Sequence, residues 1–267
     1  MQIIDCSKDS HLEYVKEKTE TGDILPFQIA AEHRMAVYIN ERLAMRLTCT
    51  PQHLDELVLG RLLTEGLIRR TEDVQQIYIC EKGLRAKVTL QADTSKRLAE
   101  TGIETVNTCC TDNRTYLSDG AESIPMVTPV PWESAWLQGI AEKVKAGQSL
   151  YERTRAVHAC CLFREDRLLC CREDIGRHNA LDKVIGWALI TGTDVTRCML
   201  FTTGRMPADM VTKAIRAGIS LLASKTFPTD QGMALAKQAR LTLLTIRPDG
   251  EILVWNDGQE TERNAEP

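Results

Sequence analysis

The second half of the chain alternates apolar segments with amphipathic ones, and this alternation limits the possible folds more than any other feature. Five apolar runs have the length of strands: 156–163, 167–173, 198–203, 219–224 and 241–246. Three helical patterns lie among them: 178–191, 207–218 and 229–240. Strands that alternate with helices predict a three-layer α/β domain with a mostly parallel sheet. The turn "RPDG" and the segment "EILVWN" are expected to add an antiparallel edge.

The first half of the chain predicts a smaller α+β region. "MAVYINERLAMRL" reads as a hairpin that turns at Asn40-Glu41. The segment 50–68 has helical spacing, with Thr50 as a candidate N-cap and Pro51 at the first helical position. Two strands near 75–80 and 84–90 follow, and a helix is predicted over 132–149. Four units are therefore expected: a loosely ordered segment 1–26, an α+β region 27–106, a cysteine-bearing loop 107–130 and an α/β domain 131–267.

Charge and hydropathy exclude some classes of protein. The 267 residues carry a net charge of −4, with a pI of about 5.8, which argues against binding to nucleic acid through a basic face. The sequence has no run of about 18 apolar residues, so no transmembrane helix is expected. The first residues, "MQIIDCSKDSHLEYVKEK", lack the basic start and apolar middle of a signal peptide. A cytoplasmic location is expected.

The ten cysteines are expected to stay reduced in that compartment, so they do not predict a disulfide framework. None of them forms a Cys-x-x-Cys, and a structural zinc site is not expected. The pairs 160–161 and 170–171 lie in apolar strands, where adjacent side chains face opposite ways and free thiols pack as small apolar groups. The pair Cys109-Cys110 differs, because it lies in the polar segment "VNTCCTDNR". Nucleophile, metal ligand, disulfide pair and no role at all remain open for these two thiols.

Polar residues follow three of the predicted strands. In open α/β sheets, ligands bind beyond the carboxyl ends of the strands. The first such segment, 173–179, carries Arg177 and His178 at a helix start, with Lys183 one turn further on, and suits a phosphate. The second contains Gly204 and Arg205, and the third covers 225–232, where Thr229 or Asp230 suits an N-cap. A polar loop with a capping acid, or a simple strand-to-helix turn, explains the same residues about equally well.

The histidine that precedes the first cysteine pair of the α/β domain permits a different interpretation. A zinc deaminase would require His-x-Glu and a later Pro-Cys-x-x-Cys, but Cys160 replaces the acid and the second motif is absent. His158 in an apolar strand is more often an interior histidine than a catalyst. A metal-site or nucleotide-modifying enzyme that uses the His/Cys cluster at 158–171 remains a minor alternative.

Four segments together resemble one family, the formate dehydrogenase accessory sulfurtransferases, FdhD/NarQ. The longest match is "VHACCLF…EDIGRHNALDKVIGWAL", over 157–189. Three others support it: "TPQHLDELVLGRLLTEGLI", "TTGRMPADMVTKAIRAGISLLAS" and "FPTDQGMALAKQ". The resemblance extends over roughly 27–255.

This resemblance implies a cytidine-deaminase-like fold for the C-terminal domain, without the zinc chemistry, and a homodimer. It implies a protein that takes persulfide sulfur from a cysteine desulfurase. The sulfur is then passed to the molybdenum guanine-dinucleotide cofactor, a bis(molybdopterin guanine dinucleotide), before the cofactor enters formate dehydrogenase. The cofactor is a bound substrate, GDP is expected to occupy the same site, and no protein-bound metal is expected.

The resemblance also assigns site residues. Alignment of the family's Thr-x-Cys with Thr108-Cys109-Cys110 makes Cys110 the persulfide carrier, and a shift by one residue makes it Cys109. The family's second cysteine then falls on Asn113 or Asp112, and both glycines of its Cys-Gly-x-Cys-Gly are replaced. A cofactor-binding chaperone with a degenerate cysteine loop is therefore the alternative. The expected cofactor-binding residues are Thr245, Ile246, Arg247, Pro248, Asp249 and Gly250, with Arg177, His178, Lys183, Gly204 and Arg205.

Overall fold

A computed structural model of the chain describes residues 1–7, 28–94 and 125–259. They form two mixed β-sheets with helices packed against them. No helix in these three ranges is long and apolar enough to cross a membrane.

The first sheet has five strands in the order β1-β4-β5-β2-β3. The strands are β1 (Gln2–Asp5), β2 (His33–Ile39), β3 (Arg42–Cys49), β4 (Val74–Ile79) and β5 (Arg85–Leu90). Helix α1 (Leu54–Thr64) packs against them. The predicted hairpin is confirmed as β2 and β3, and its turn residues Asn40 and Glu41 have φ of 47° and 65°. Such left-handed pairs match the twist of a two-residue hairpin.

The N-terminal residues differ from the expectation of a loosely ordered segment 1–26. Residues Gln2–Asp5 form a strand that pairs in parallel with β4. Ile3 lies opposite Ile77 and packs against the main core. Burial of apolar side chains and ladder hydrogen bonds together offset the cost of ordering a short terminal strand. Residues 8–27 lie outside the described part of the chain.

The second sheet has six strands in the order β11-β10-β9-β8-β6-β7. They are β6 (His158–Arg164), β7 (Arg167–Asp174), β8 (Met199–Thr202), β9 (Leu221–Ser224), β10 (Thr242–Ile246) and β11 (Ile252–Asn256). Strands β8, β9 and β10 are parallel, and the predicted antiparallel edge β10–β11 is confirmed. The prediction of a mostly parallel sheet is wrong, because β6 runs antiparallel to both of its neighbours.

Within the described ranges, six further α-helices accompany this sheet. They are α2 (Ser134–Leu137), α3 (Ile140–Gly147), α4 (Ser149–Thr154), α5 (Arg177–Thr191), α6 (Ala208–Arg216) and α7 (Asp230–Ala239). The single helix predicted over 132–149 is broken, since Gly139 has a left-handed φ of 72°. The predicted N-cap of α7 is confirmed, because the Thr229 hydroxyl accepts a hydrogen bond of 3.2 Å from the Gly232 N–H.

Helices cover both faces of the second sheet. Cys160 and Leu162 of β6 face the core that includes α5, α6 and α7. Cys161 and Phe163 of the same strand face α2 and α3. The adjacent cysteines therefore point to opposite faces and serve as apolar core groups, as the sequence predicts. The likeness to cytidine deaminases stays a prediction.

Two glycines let the N-terminal region contact the C-terminal one closely. A Cβ added to Gly60 of α1 would overlap the carbonyl oxygen of Asp182 on α5. A Cβ added to Gly186 of α5 would overlap the carbonyl oxygen of Glu56 on α1. The two helix backbones thus touch, and α1 fixes the position of α5, the helix whose first residues are candidate ligand-binding residues.

Candidate functional site

The polar strand ends identified in the sequence meet at one edge of the second sheet. Strands β7, β8, β9 and β10 end there, and β6 begins there. Hydrogen bonds join successive ends. The Thr203 N–H donates to the Ala159 carbonyl at 2.9 Å, and the Ser224 hydroxyl donates to the Gly204 carbonyl at 2.7 Å. We call this the strand-end edge.

A basic cluster lies at the strand-end edge around His158, which is half-buried. Burial lowers the pKa of His158, and the positive charges of Arg177, Lys225 and His178 lower it further. Like charges disfavour a protonated imidazole. This positive charge, on a chain of net charge −4, makes the strand-end edge a candidate site for an anion.

Arg177 begins α5 and is the best-placed anion ligand of the cluster. Its side chain lies against Gly204, where an added Cβ would stand 3.0 Å from the Arg177 Cβ and Cδ. Because Gly204 has no side chain, the Arg177 side chain can occupy this space. The Arg177 Nε is buried and has no hydrogen-bond partner in the described ranges of the chain. A buried donor of this kind suits a phosphate or carboxylate oxygen from a ligand.

His178 is held between two helices. Its Nε2 lies 2.7 Å from the Asp209 carboxylate in the first turn of α6. Burial opposes ionisation of Asp209, but the hydrogen bond and the charge of His178 outweigh burial, so the pKa of Asp209 is below its ordinary value. The imidazole is thereby oriented at the strand-end edge. Sequence reasoning missed Asp209, because the two residues lie 31 positions apart and on different helices.

The structure gives Lys183 a different place from the one expected of a phosphate ligand. Its side chain is fully buried, with Nζ 2.7 Å from the Asp174 carboxylate and 2.6 Å from the Thr50 hydroxyl. The amino group is therefore engaged inside the protein and not presented at the strand-end edge. Thr50 is also not the N-cap of α1, since its N–H and hydroxyl both donate to Asp174, each at 3.0 Å. The helix begins instead after His53.

A second group of buried charges centres on Asp182, the residue before Lys183 in α5. The Asp182 carboxylate accepts hydrogen bonds from the Lys213 amine at 2.9 Å and the Arg61 guanidinium at 3.1 Å. Glu65 lies 2.8 Å from the same Lys213 amine. Opposite charges thus pair across α1, α5 and α6 in a place that water does not reach. The long motif after β7 therefore has two roles: its buried members join helices, and Arg177 and His178 face the strand-end edge.

Residues 245–250, the stretch expected to bind the cofactor, lie at the same edge. Some of their side chains already have partners within the protein. The Thr245 hydroxyl donates to the Thr226 carbonyl at 2.8 Å, and Ile246 is buried. Arg247 pairs with Asp249 at 3.3 Å and with Glu251 at 3.2 Å. Those exposed pairs are weak, so their exchange for a ligand anion costs little. Pro248 and Gly250 complete the turn, and Gly250 has a φ of 87°.

Two more residues complete the cationic side of the site. Arg205, predicted from the sequence, is exposed in the turn after β8. Lys225, in the turn after β9, lies 5.7 Å from the centre of the Tyr151 ring, within range of a cation–π contact. Sequence reasoning included 225–232 but did not single out Lys225, because a lone lysine after a strand carries no distinguishing pattern.

The cysteines differ in where they lie. Cys109 and Cys110 lie outside the described residues. Five others are buried, Cys49, Cys160, Cys161, Cys170 and Cys198, and three are partly exposed, Cys6, Cys80 and Cys171. Within residues 1–7, 28–94 and 125–259, no group of three or more His, Cys, Asp and Glu side chains is placed to hold a metal ion.

The fold and the strand-end edge define a class: a mixed α/β protein with a basic cluster at the ends of its strands. The chain belongs to the FdhD/NarQ family, which it matches over residues 30–261. This confirms the family inferred from the sequence motifs.

Individual relatives agree with this assignment. A sulfur carrier protein FdhD of Halalkalibacterium halodurans is 29% identical over 235 residues, which are 85% of this chain and 86% of the relative. The protein of the same name in Bacillus licheniformis is 30% identical and covers 82% of this chain and 83% of its own length. A crystal structure described as a formate dehydrogenase accessory protein from Desulfotalea psychrophila superposes with a TM-score of 0.71 at 27% identity. The alignment covers 92% of this chain and 96% of that one.

Proposed function

We propose that this protein is a sulfur carrier for formate dehydrogenase maturation. It takes persulfide sulfur from a cysteine desulfurase and passes it to the molybdenum guanine-dinucleotide cofactor. The observation that carries the proposal is membership of the FdhD/NarQ family over residues 30–261, whose relatives are named sulfur carrier proteins. The cysteine desulfurase, the cofactor and formate dehydrogenase are the proposed partners.

The sulfur transfer is assigned to Cys110, or to Cys109 in the shifted alignment. The cysteine thiolate attacks the outer sulfur of the donor persulfide. A new S–S bond forms, the donor's S–S bond breaks, and the donor cysteine leaves as a thiolate. No net oxidation occurs, so the step needs no further reagent. The outer sulfur is then available to the metal centre of the bound cofactor.

The cofactor is assigned to the strand-end edge. Its diphosphates carry negative charge, and Arg177 offers a buried donor without a partner in the described part of the chain. Lys225, His178 and Arg205 add positive charge, and the nearby Arg247 can exchange its exposed carboxylate partners for a phosphate. The helix N-terminus at Arg177 favours the same charge. GDP is the simplest probe of this site.

Persulfide labelling tests the proposal. The protein is incubated with a cysteine desulfurase and cysteine, digested, and analysed by mass spectrometry. We expect one extra sulfur on the peptide that contains Cys109 and Cys110, and its loss in C109A/C110A. The single variants C109A and C110A identify the carrier. C6A and C80A are matched controls, because these thiols are partly exposed but lie in the N-terminal sheet region. An unlabelled peptide in the wild-type protein contradicts sulfur transfer.

The homodimer and the cytoplasmic location stay predictions. The homodimer rests on the resemblance alone, and light scattering with size-exclusion chromatography tests it. Fractionation of cells that express the protein tests the location.

A further inference from the structure

An exposed aromatic side chain lies at the strand-end edge, in the turn between β9 and α7. Phe227 is 53% exposed, whereas most large apolar side chains of this sheet are buried. It follows Lys225 by two residues, and that lysine belongs to the basic cluster. An exposed phenylalanine forfeits the free energy of burial, and here it leaves an aromatic ring accessible beside the basic cluster.

Neighbouring groups hold the Phe227 ring in place. It meets the Trp255 ring edge to face, with centroids 5.2 Å apart and planes at 62°. This is a favourable geometry for an aromatic pair. The Trp255 indole N–H donates to the Thr245 hydroxyl at 2.9 Å, and that hydroxyl donates to the Thr226 carbonyl at 2.8 Å. One threonine thus fixes both the partner ring and the backbone that precedes Phe227.

The separation from the phosphate site suits a nucleotide. Arg177 lies against Gly204, just after β8. Thr245, which binds the Trp255 partner of Phe227, lies near the end of β10, two strands away. Neighbouring strands are about 4.8 Å apart, so this offset is about 10 Å along the strand-end edge. An extended nucleoside diphosphate spans a comparable distance from its phosphates to its base.

We infer that Phe227 stacks on the nucleobase of the bound cofactor while Arg177 holds the diphosphate. The inference rests on the proposed function, since it concerns the ligand of the same site. Aromatic–base stacking needs only a planar ring on the ligand, so Phe227 contributes affinity and does not select guanine. The selection of guanine must come from polar groups elsewhere in the site.

Calorimetric titration with GDP tests the inference. We expect F227A and F227L to lower the affinity for GDP about 5- to 100-fold, the usual effect of losing one stacked aromatic ring. F227L retains an apolar side chain, so its loss of affinity isolates the aromatic contribution. F227Y retains the ring and is expected to bind as the wild type does. ADP affinity should fall by the same factor as GDP affinity in F227A.

V254A is the matched control, because Val254 is 49% exposed and lies next to Trp255 in the sequence. It should bind GDP as the wild type does, with the same melting temperature. GDP binding that is equal in wild type, F227A and F227L overturns the stacking role and leaves the proposed function standing. If F227Y loses as much GDP affinity as F227A, the stacking role is also overturned, because F227Y retains the aromatic ring. If the wild-type protein binds no GDP, the proposed nucleotide site itself is ruled out.

Discussion

Lys183 of α5 and Asp174 of β7 form an ion pair of 2.7 Å in which both side chains are fully buried. The Asp174 carboxylate also accepts hydrogen bonds from the Gly176 N–H and the Asn179 amide, each at 2.9 Å. The pair therefore fixes the turn between β7 and α5, where Arg177 lies.

Removal of one member of this pair should destabilise the protein strongly. K183M leaves a buried, uncompensated carboxylate, which typically costs about 3–5 kcal/mol. K143M is the matched control, because Lys143 pairs with Asp166 at 3.1 Å with side-chain exposures of 36% and 66%. It should cost less than about 1 kcal/mol. Denaturant unfolding measures both values, and equal midpoints for the two variants would contradict the structural role of Lys183.

The contact between α1 and α5 should not tolerate a methyl group at Gly186. A Cβ there would overlap the Glu56 carbonyl, and neither helix backbone can move without disturbing the core. Overpacking of this kind costs about 1–3 kcal/mol or more. In an unobstructed helix interior, Gly to Ala is instead favourable by about 1 kcal/mol. G186A should therefore lower the melting temperature, whereas I190A on the exposed side of the same helix should change it little. An unchanged or raised melting temperature in G186A would show that the helices separate easily.

Stability should depend on pH through Glu65. Burial opposes its ionisation, but Lys213 and Arg61 outweigh burial and lower the pKa of Glu65 from 4.5 to about 2. A depressed pKa in the folded state stabilises the protein above the unfolded value, and this contribution is lost as the pH falls through the folded value. The free energy of unfolding should thus fall by on the order of 3 kcal/mol between about pH 5 and pH 2.

E65Q removes this titration, so its unfolding free energy should be lower at neutral pH and flatter below pH 5. E41Q is the control, since Glu41 is 79% exposed in its pair with Lys87. Urea titrations across that pH range compare the two. A slope in E65Q as steep as in the wild type would assign the acid sensitivity to other carboxylates.

Arg177 should matter for binding and little for stability. R177Q removes the charge, so GDP affinity should fall about tenfold or more, with a weaker dependence on salt. R164Q is the control, because Arg164 lies at the other end of β6 and donates to the Asp194 carbonyl at 3.0 Å. Its GDP affinity should match the wild type. Equal affinities in all three proteins would place the phosphate elsewhere.

Local signals predicted much of the fold. The Asn40-Glu41 turn, the Thr229 cap and the alternation of strands and helices depend on neighbours in sequence, and the structure has them. Distant partners account for the errors. Thr50 suits an N-cap locally, but its hydroxyl binds Asp174, which is 124 positions away.

A partner on another element also explains why Lys183 and Arg177 have different roles. Both are cations near the start of a helix after a strand, and sequence spacing could not tell which one a buried acid would take. Asp174 of β7 pairs with Lys183, so Lys183 is buried and Arg177 is the cation that remains at the strand-end edge. Phe227 and Trp255 could not be paired from the sequence, since β11 must first fold back beside β10.

The core cysteines should be unreactive while the protein is folded. Burial, reinforced by the neighbouring Cys171 and Cys170, raises the pKa of Cys160 well above its ordinary value. A hydrogen bond that the Cys161 thiol donates to Cys171 raises the pKa of Cys161, and burial raises it further. Burial raises the pKa of Cys170 to about 12. Since only the thiolate is nucleophilic, these three thiols are poor sulfur acceptors at neutral pH.

Pulsed alkylation with iodoacetamide, followed by peptide mass spectrometry, checks this. Peptides with Cys160, Cys161 and Cys170 should label slowly in buffer and rapidly in denaturant, and they should gain no sulfur from the desulfurase. The partly exposed Cys6 is the internal reference, because it should label in buffer. Rapid labelling of the core thiols in the folded protein would show that β6 and β7 open readily. In that case the assignment of sulfur transfer to Cys109 and Cys110 would have to compete with a second set of thiols.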